Sequence, residues 1–138
     1  MLNRLDFTLK QNDAMVTMPM DWPRVMGYGP WLEEVWYNYI LNGVKYGGSP
    51  PALQLGFDEP KDGLVRFWVE DNGPGLTVGS DDLFKPLVRG RNTGNRSGHG
   101  LGLSIVKRIV EKLSGTVGVV SQPGHGSSFY FTLPVTPP

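Results

Sequence analysis

Four polar side chains recur at helical spacing within residues 30–46 of the sequence: Glu34, Asn38, Asn42 and Lys45. At about 100° per residue they span an arc of roughly 80°, so they line one edge of a helix beside its apolar face. Two asparagine oxygens one turn apart can ligate a hard cation such as Mg²⁺, which takes its other ligands from water and phosphate. The same spacing is also common in a solvated polar stripe.

A carboxylate opens the glycine-rich run DNGPGL at residues 71–76, directly after a predicted strand. Gly73 and Gly75 permit backbone angles that other residues avoid, and they let a ligand approach closely. Asp71, at the end of the strand, could accept a hydrogen bond from an exocyclic amine and so select adenine over guanine. A simple turn is the alternative interpretation, because Asn-Gly and Pro-Gly are both turn formers.

Residues 85–98 carry four basic side chains and no acidic one: Lys85, Arg89, Arg91 and Arg96. Such a segment favours an anionic ligand, since arginine can hold phosphate oxygens through paired hydrogen bonds. A solvated loop and an RNA-contacting loop are alternatives, although no aromatic residue is interleaved for base stacking.

The run GHGLGL at residues 98–103 opens a predicted helix. Free N–H groups at a helix start, together with the helix dipole, form a site for anions. The glycine spacing is G-x-G-x-G, which matches neither the dinucleotide-binding fingerprint nor a P-loop.

Two helices are expected to position these groups. The first covers residues 30–46, from the proline at its start to the two glycines after it. Its apolar residues recur at three- and four-residue steps: Leu32, Val35, Trp36, Tyr39, Ile40 and Gly43. The second covers residues 101–113, and its predicted apolar face consists of Leu101, Ile105, Val106, Ile109, Val110 and Leu113.

Strands are predicted at residues 13–18, 52–57, 64–70, 116–121 and 127–133. Short turn sequences join the second strand to the third and the fourth to the fifth, which indicates two hairpins. This order of elements predicts an α/β (α+β) fold, a two-layer sandwich of a mixed β-sheet with helices on one face.

The composition narrows the classes of function. The 138 residues suit one domain, and 13 basic residues balance 13 acidic ones, which gives no reason to expect a nucleic-acid or membrane partner. The absence of cysteine excludes disulfides, a thiolate nucleophile and a zinc–thiolate site. With no signal peptide and no apolar run near 18 residues, we expect a cytoplasmic domain, whose parent protein could still carry a membrane anchor.

Taken in order, these motifs resemble the ATP-binding (HATPase) catalytic domain of sensor histidine kinases, within the GHKL superfamily of gyrase, MutL and heat-shock chaperones. Residues 38–46 look like the N box, 71–76 the G1 box, 84–89 the F box, 98–103 the G2 box, and 126–129 the last glycine-containing motif. The resemblance implies a Bergerat-type ATP-binding fold. The domain would cover residues 13–134, after an N-terminal remnant or linker at 1–12 and before a tail at 135–138.

The ligand that this resemblance implies is Mg-ATP. Asn42 would be the main Mg²⁺ ligand, with Asn38 assisting it or the phosphates, and Asp71 would read the adenine amine. The implied catalytic residues are Asn38, Lys45 and Arg89, of which Arg89 would meet the γ-phosphate. Further nucleotide contacts would come from Tyr46, Gly73, Gly75, Leu76, Gly98, His99, Gly100, Leu101, Gly102 and Ser127.

The function implied is phosphoryl transfer to a histidine on a separate dimerisation domain of the parent kinase, with a response regulator downstream. Leu87 departs from the pattern, since the F box usually has a second aromatic residue there. The helical hairpin that carries the acceptor histidine has no counterpart before Asp13. We therefore expect a monomeric domain that binds ATP without autophosphorylation, and for Glu34 a structural role rather than that of a general base.

Three other functions stay open at this point. One is an ATPase-driven switch of the chaperone or MutL kind, and another is a serine-phosphorylating anti-sigma factor. The third is a nucleotide-sensing pseudokinase that acts only as a binding module.

Overall fold

The computed structural model describes residues 2–23, 25, 27, 29–75, 84, 99–121 and 124–135, with the backbone alone for 2–5 and 99–101. The elements are α1 (Leu2–Gln11), β1 (Met15–Thr17), α2 (Gly29–Tyr46), β2 (Ala52–Phe57), β3 (Leu64–Asp71), α3 (His99–Lys112), β4 (Val117–Ser121) and β5 (Ser127–Pro134). All five predicted strands and both predicted helices are present, with ends that differ by no more than about two residues, the usual uncertainty of such boundaries.

The strands form one mixed sheet in the order β1-β2-β3-β5-β4. β1 is parallel to β2, and the other pairings are antiparallel, which confirms both predicted hairpins. Asp71 pairs with Leu53 at the start of β2, and Glu70 pairs with Ser128 at the start of β5. The end of β3 therefore lies between the beginnings of its two neighbours.

The core lies between one face of the sheet and the helices α2 and α3, as the predicted two-layer sandwich requires. Its most deeply buried members include Val35, Tyr39 and Ile40 of α2, Val106 and Val110 of α3, and Val65, Val69, Phe129, Phe131 and Leu133 of the sheet. Every second strand residue points toward the helices. Because burial of one large apolar side chain contributes about 1.5–3 kcal/mol, this alternation determines which sheet face meets the helices.

The buried face of α3 differs from the predicted one. Ile105, which was expected in the core, is 43% exposed, whereas Leu103 is only 4% exposed. Leu103, Val106 and Val110 lie within about 60° of one another around the helix, and Ile105 lies roughly 100° or more from each of them. The stripe that meets α2 and the sheet is thus narrower than the apolar pattern suggested.

Residues 2–11, within the segment predicted to be an N-terminal remnant or linker, form the helix α1. α1 contacts α2, and Leu9 packs against the core while Phe7 remains exposed. The backbone N–H of Ala14 donates to the carbonyl of Leu9 at 2.9 Å and leads the chain into β1. Within the described part of the chain, no helix is both long and apolar enough to cross a membrane.

Two aromatic side chains cover glycines on the sheet face that points away from the helices. Gly56 pairs with Trp68, and Gly118 pairs with Tyr130. A Cβ atom at Gly56 would collide with the Trp68 ring, and one at Gly118 would collide with the Tyr130 ring. Each ring therefore occupies the space of the side chain that its glycine lacks. The guanidinium carbon of Arg66 lies 4.2 Å from the centre of the Tyr130 ring.

Candidate nucleotide-binding site

The polar edge of α2 meets the first turns of α3 at Asn38. The Nδ2 atom of Asn38 donates to the backbone oxygen of Glu34 at 2.8 Å and to its carboxylate Oε2 at 3.3 Å. The amide oxygen then faces α3, where a Cβ atom on Gly102 would lie 2.5 Å from it. Glu34 thus orients the amide, and Gly102 leaves room for the oxygen between the two helices.

The remaining predicted residues of α2 pass from the interior to the surface. Asn42 is only 6% exposed, Tyr46 is half-buried, and Lys45 is exposed. Asn38 and Asn42 provide neutral amide oxygens, a hard ligand type that Mg²⁺ accepts together with water and phosphate oxygens. The residue types at this edge therefore fit a magnesium ion bound jointly with phosphate.

Asp71 holds its carboxylate in an asymmetric environment. Its Oδ1 accepts backbone hydrogen bonds from Gly73 at 2.9 Å and from Ser127 at 3.2 Å. Its Oδ2 is buried and has no hydrogen-bond partner among the described residues. Burial raises the pKa of Asp71 above its usual value, and the two backbone hydrogen bonds oppose that shift. A ligand amine would supply the donor that Oδ2 lacks.

Direct backbone packing joins the turn after β3 to its neighbours. A Cβ atom on Gly73 would collide with the carbonyl oxygen of Tyr46, and one on Gly126 would collide with the carbonyl oxygen of Asp71. Gly75 has a φ of 86°, in the left-handed region that favours glycine. The end of α2, the turn after β3 and the start of β5 therefore lie against one another.

Asn72, which the sequence indicated only as part of a turn, connects two segments of this region. Its Oδ1 accepts hydrogen bonds from the backbone N–H groups of Gly48 at 2.7 Å and Ala52 at 2.9 Å. Its Nδ2 donates to the backbone oxygen of Pro50 at 3.2 Å. Gly48 and Pro50 lie in the loop that joins α2 to β2, and Ala52 is the first residue of β2.

A serine pair closes the β4–β5 end of the site. Ser127 is 5% exposed, and its hydroxyl lies 3.0 Å from the Ser121 hydroxyl. Ser121 also donates to the carbonyl of Gly126 at 3.3 Å. Ser127 was among the residues predicted from the sequence and Ser121 was not, although the predicted hairpin placed the two at opposite ends of one turn.

Part of the predicted site lies outside the described residues, namely Leu76, Lys85, Leu87, Arg89, Arg91, Arg96 and Gly98. The backbone of His99, Gly100 and Leu101 forms the start of α3, where the glycine-rich motif was expected to open a helix.

Phe84, the first residue of the motif that resembles the F box, is buried. Its ring centre lies 6.4 Å from that of Tyr39. The Tyr39 hydroxyl in turn donates to the carbonyl oxygen of Tyr130 at 2.8 Å and ties α2 to β5. Burial raises the pKa of Tyr39 well above its usual value, so this hydroxyl remains a donor. Phe84 is thus anchored in the core beneath the polar edge of α2.

Comparison with known proteins shows the family of this chain. The sequence profile described as histidine kinase-, DNA gyrase B-, and HSP90-like ATPase matches residues 27–137. The adaptive-response sensory kinase SasA of Prochlorococcus marinus is 38% identical over 120 residues, which are 86% of this chain and 32% of that protein. The phytochrome-like protein Cph1 of Synechocystis is 36% identical over 115 residues, 82% of this chain and 15% of that protein. The chain thus spans at most about a third of these relatives.

Solved structures show the same fold. Full-length ShkA in complex with AMPPNP has a TM-score of 0.80 at 25% identity, covering 99% of this chain and 28% of that chain. The nucleotide-free catalytic domain of the histidine kinase ThkA has a TM-score of 0.79 at 21% identity, covering 97% of this chain and 87% of that chain. From the profile match and the shared fold, this chain belongs to the histidine kinase-, DNA gyrase B- and HSP90-like ATPase family, as the ATP-binding catalytic domain of a sensor histidine kinase.

Proposed function

We propose that this chain binds Mg-ATP where α2, α3 and the end of β3 meet, and that it donates the γ-phosphoryl group to a histidine on a separate dimerisation domain of its parent kinase. The observation that supports this most directly is the buried Oδ2 of Asp71, which has no partner among the described residues. The exocyclic amine of adenine is a donor of the required kind, and Gly73 and Gly75 leave the adjacent backbone free of side chains.

The residues of α2 would serve the phosphate end of the nucleotide. Asn42 would hold Mg²⁺, with Asn38 in support, and the bound ion would neutralise charge on the phosphate oxygens. Lys45 and Arg89 would contact phosphate directly. The first N–H groups of α3 would add an anion-binding helix terminus. Tyr46 and Ser127 would lie near the ribose and the base.

In the proposed transfer, a ring nitrogen of the acceptor histidine attacks the γ-phosphorus atom. The bond between that phosphorus and the bridging oxygen to the β-phosphate breaks, and ADP leaves. This chain contributes by positioning the nucleotide and stabilising the charge on its phosphates, which is how most phosphoryl-transfer enzymes act. The acceptor histidine and the response regulator downstream would be supplied by other domains or proteins in the cytoplasm.

A reconstituted transfer reaction tests the proposal. The chain is mixed with Mg²⁺, γ-labelled ATP and a helical-hairpin fragment that carries a phosphoacceptor histidine. We expect acid-labile, base-stable label on the fragment, because phosphohistidine has that stability. A fragment in which the histidine is replaced by glutamine is the control, and it should remain unlabelled.

The other outcomes would contradict the proposal in distinguishable ways. Steady phosphate release without labelling of the fragment would indicate an ATPase switch. Acid-stable label on a serine of an added protein would indicate a serine kinase. Tight ATP binding with neither transfer nor hydrolysis would indicate a nucleotide-sensing module.

A further inference from the structure

We infer that Asn72 is a positioning residue for adenine recognition, which rests on the proposed function. Its side chain hydrogen-bonds to Gly48 and Pro50 in the loop between α2 and β2, and to Ala52 at the start of β2. It therefore acts on the base-binding carboxylate of Asp71 through that loop, without touching the nucleotide itself.

Asn72 fixes both ends of the loop between α2 and β2. Asn72 accepts hydrogen bonds from the backbone N–H groups of Gly48 in the loop and of Ala52 at the start of β2, and it donates to the carbonyl of Pro50 between them. An asparagine amide offers two acceptor sites and two donors, so these contacts at the two ends of the loop occupy three of the four. The loop begins directly after Tyr46 and is thereby fixed against the turn that follows β3.

Gly73 connects this loop to the Asp71 carboxylate. The carbonyl oxygen of Tyr46 lies so close to Gly73 that a Cβ atom there would collide with it. The N–H of Gly73 is one of the two donors that hold Asp71 Oδ1. Movement of the loop would therefore move Gly73, weaken this hydrogen bond and let the carboxylate rotate away from the adenine amine.

Removal of the Asn72 side chain should leave the chain folded. The three Asn72 contacts lie at an exposed position, so water can replace the lost partners when the side chain is removed. The core beneath α2 is untouched by the change. Asn72→Ala should consequently fold. Its effect should appear in the recognition of the base and not in the amount of folded protein.

The experiment compares nucleotide binding by Asn72→Ala and by a matched control, Asn12→Ala. Asn12 also makes a side-chain hydrogen bond to the backbone, to Thr8 at 2.8 Å, but it does so at the end of α1. We expect Asn72→Ala to weaken binding of an ATP analogue about fivefold, with a similar fall in the preference for ATP over GTP. Asn12→Ala should leave both quantities unchanged. Competition against a fluorescent nucleotide measures both.

A conservative variant sharpens the test. Asn72→Asp keeps an oxygen acceptor for the N–H groups of Gly48 and Ala52 but puts a second oxygen where Asn72 donates to the Pro50 carbonyl, so it should recover only part of the lost affinity and preference. The ratio of ATP to GTP affinity is the decisive readout, because simple loosening of the domain would weaken both nucleotides equally.

Two results would overturn this inference alone: Asn72→Ala indistinguishable from Asn12→Ala, or equal weakening of both nucleotides with the ratio unchanged. A wild-type chain that binds no ATP analogue at all would overturn the proposed function and this inference with it. Thermal unfolding of each variant, measured without nucleotide, verifies that each variant is folded at the temperature of the binding assay.

Discussion

Replacement of Asp71 by asparagine changes one side-chain group in the proposed base-binding region. The amide oxygen can still accept the backbone hydrogen bonds that now reach Oδ1 from Gly73 and Ser127. The buried Oδ2, in contrast, becomes an NH₂ group that cannot accept from an adenine amine. The variant therefore removes the proposed contact and keeps the local backbone architecture.

The expected magnitude follows from the charge on the acceptor. A hydrogen bond to a charged group contributes about 1.5–3 kcal/mol, which corresponds to roughly ten- to a hundredfold in affinity. The variant should lose this much ATP binding. GTP should not lose affinity, because the new amide can donate to the guanine carbonyl at the equivalent place. The preference for ATP over GTP should consequently fall by at least the same factor.

Competition titrations with ATP and GTP analogues measure these changes, and chemical denaturation without nucleotide serves as the control. The unliganded variant should be no less stable than the wild-type chain, because a neutral amide costs less to bury than a carboxylate. Unchanged ATP affinity, or equal losses for both nucleotides, would refute the assignment of Asp71 to the adenine amine.

Three further predictions concern the same site. In Gly102→Ala the new Cβ would press on the Asn38 amide oxygen, so the gain in nucleotide affinity on adding Mg²⁺ should fall about tenfold. Gly29→Ala is the control, because a Cβ atom there would meet open space. If Mg²⁺ raised the nucleotide affinity of both variants equally, the result would contradict a role for Asn38 in binding Mg²⁺. Asn42→Ala should lower the rate of phosphoryl transfer at least about a hundredfold while adenosine binding persists. Equal losses in transfer rate and in adenosine affinity would contradict the assignment of Asn42 as a Mg²⁺ ligand. Because burial raises the pKa of Asp71 in the folded chain, the Asp71 carboxyl keeps its proton to a higher pH in the folded state than in the unfolded state. The contribution of Asp71 to the free energy of unfolding should therefore fall as pH rises from the ordinary aspartate range through the raised pKa. In urea titrations, Asp71→Asn should remove this dependence of the free energy on pH. Parallel pH profiles for the two proteins would disprove this effect.

Much of the fold was predictable because its signals are local. The apolar period of α2 and the short turns of the two hairpins are visible in consecutive residues. The same local pattern misplaced the buried face of α3, since several apolar stripes fit one helix and only its neighbours select among them. Leu103 is buried and Ile105 is exposed because α3 meets α2 as well as the sheet.

The sequence suggested residue types for the candidate site but not the contacts that support them. Asn72 is 24 residues from Gly48 in sequence, and no spacing rule connects the two. Gly73 was expected to be needed for its backbone angles, but it lies outside the left-handed region, and it is the contact with the Tyr46 carbonyl that excludes a side chain. Roles of this kind depend on how distant segments meet in space, which one sequence does not display.

The glycine–aromatic pairs on the outer sheet face carry a consequence for divergence of this domain. A larger residue at Gly56 has room only if Trp68 becomes smaller or its ring turns aside, and the same holds for Gly118 and Tyr130. A change in one partner alone therefore displaces a ring or leaves a space unfilled. Homologous chains should therefore exchange the members of each pair together, leaving a covariation signal on the sheet face that points away from the helices.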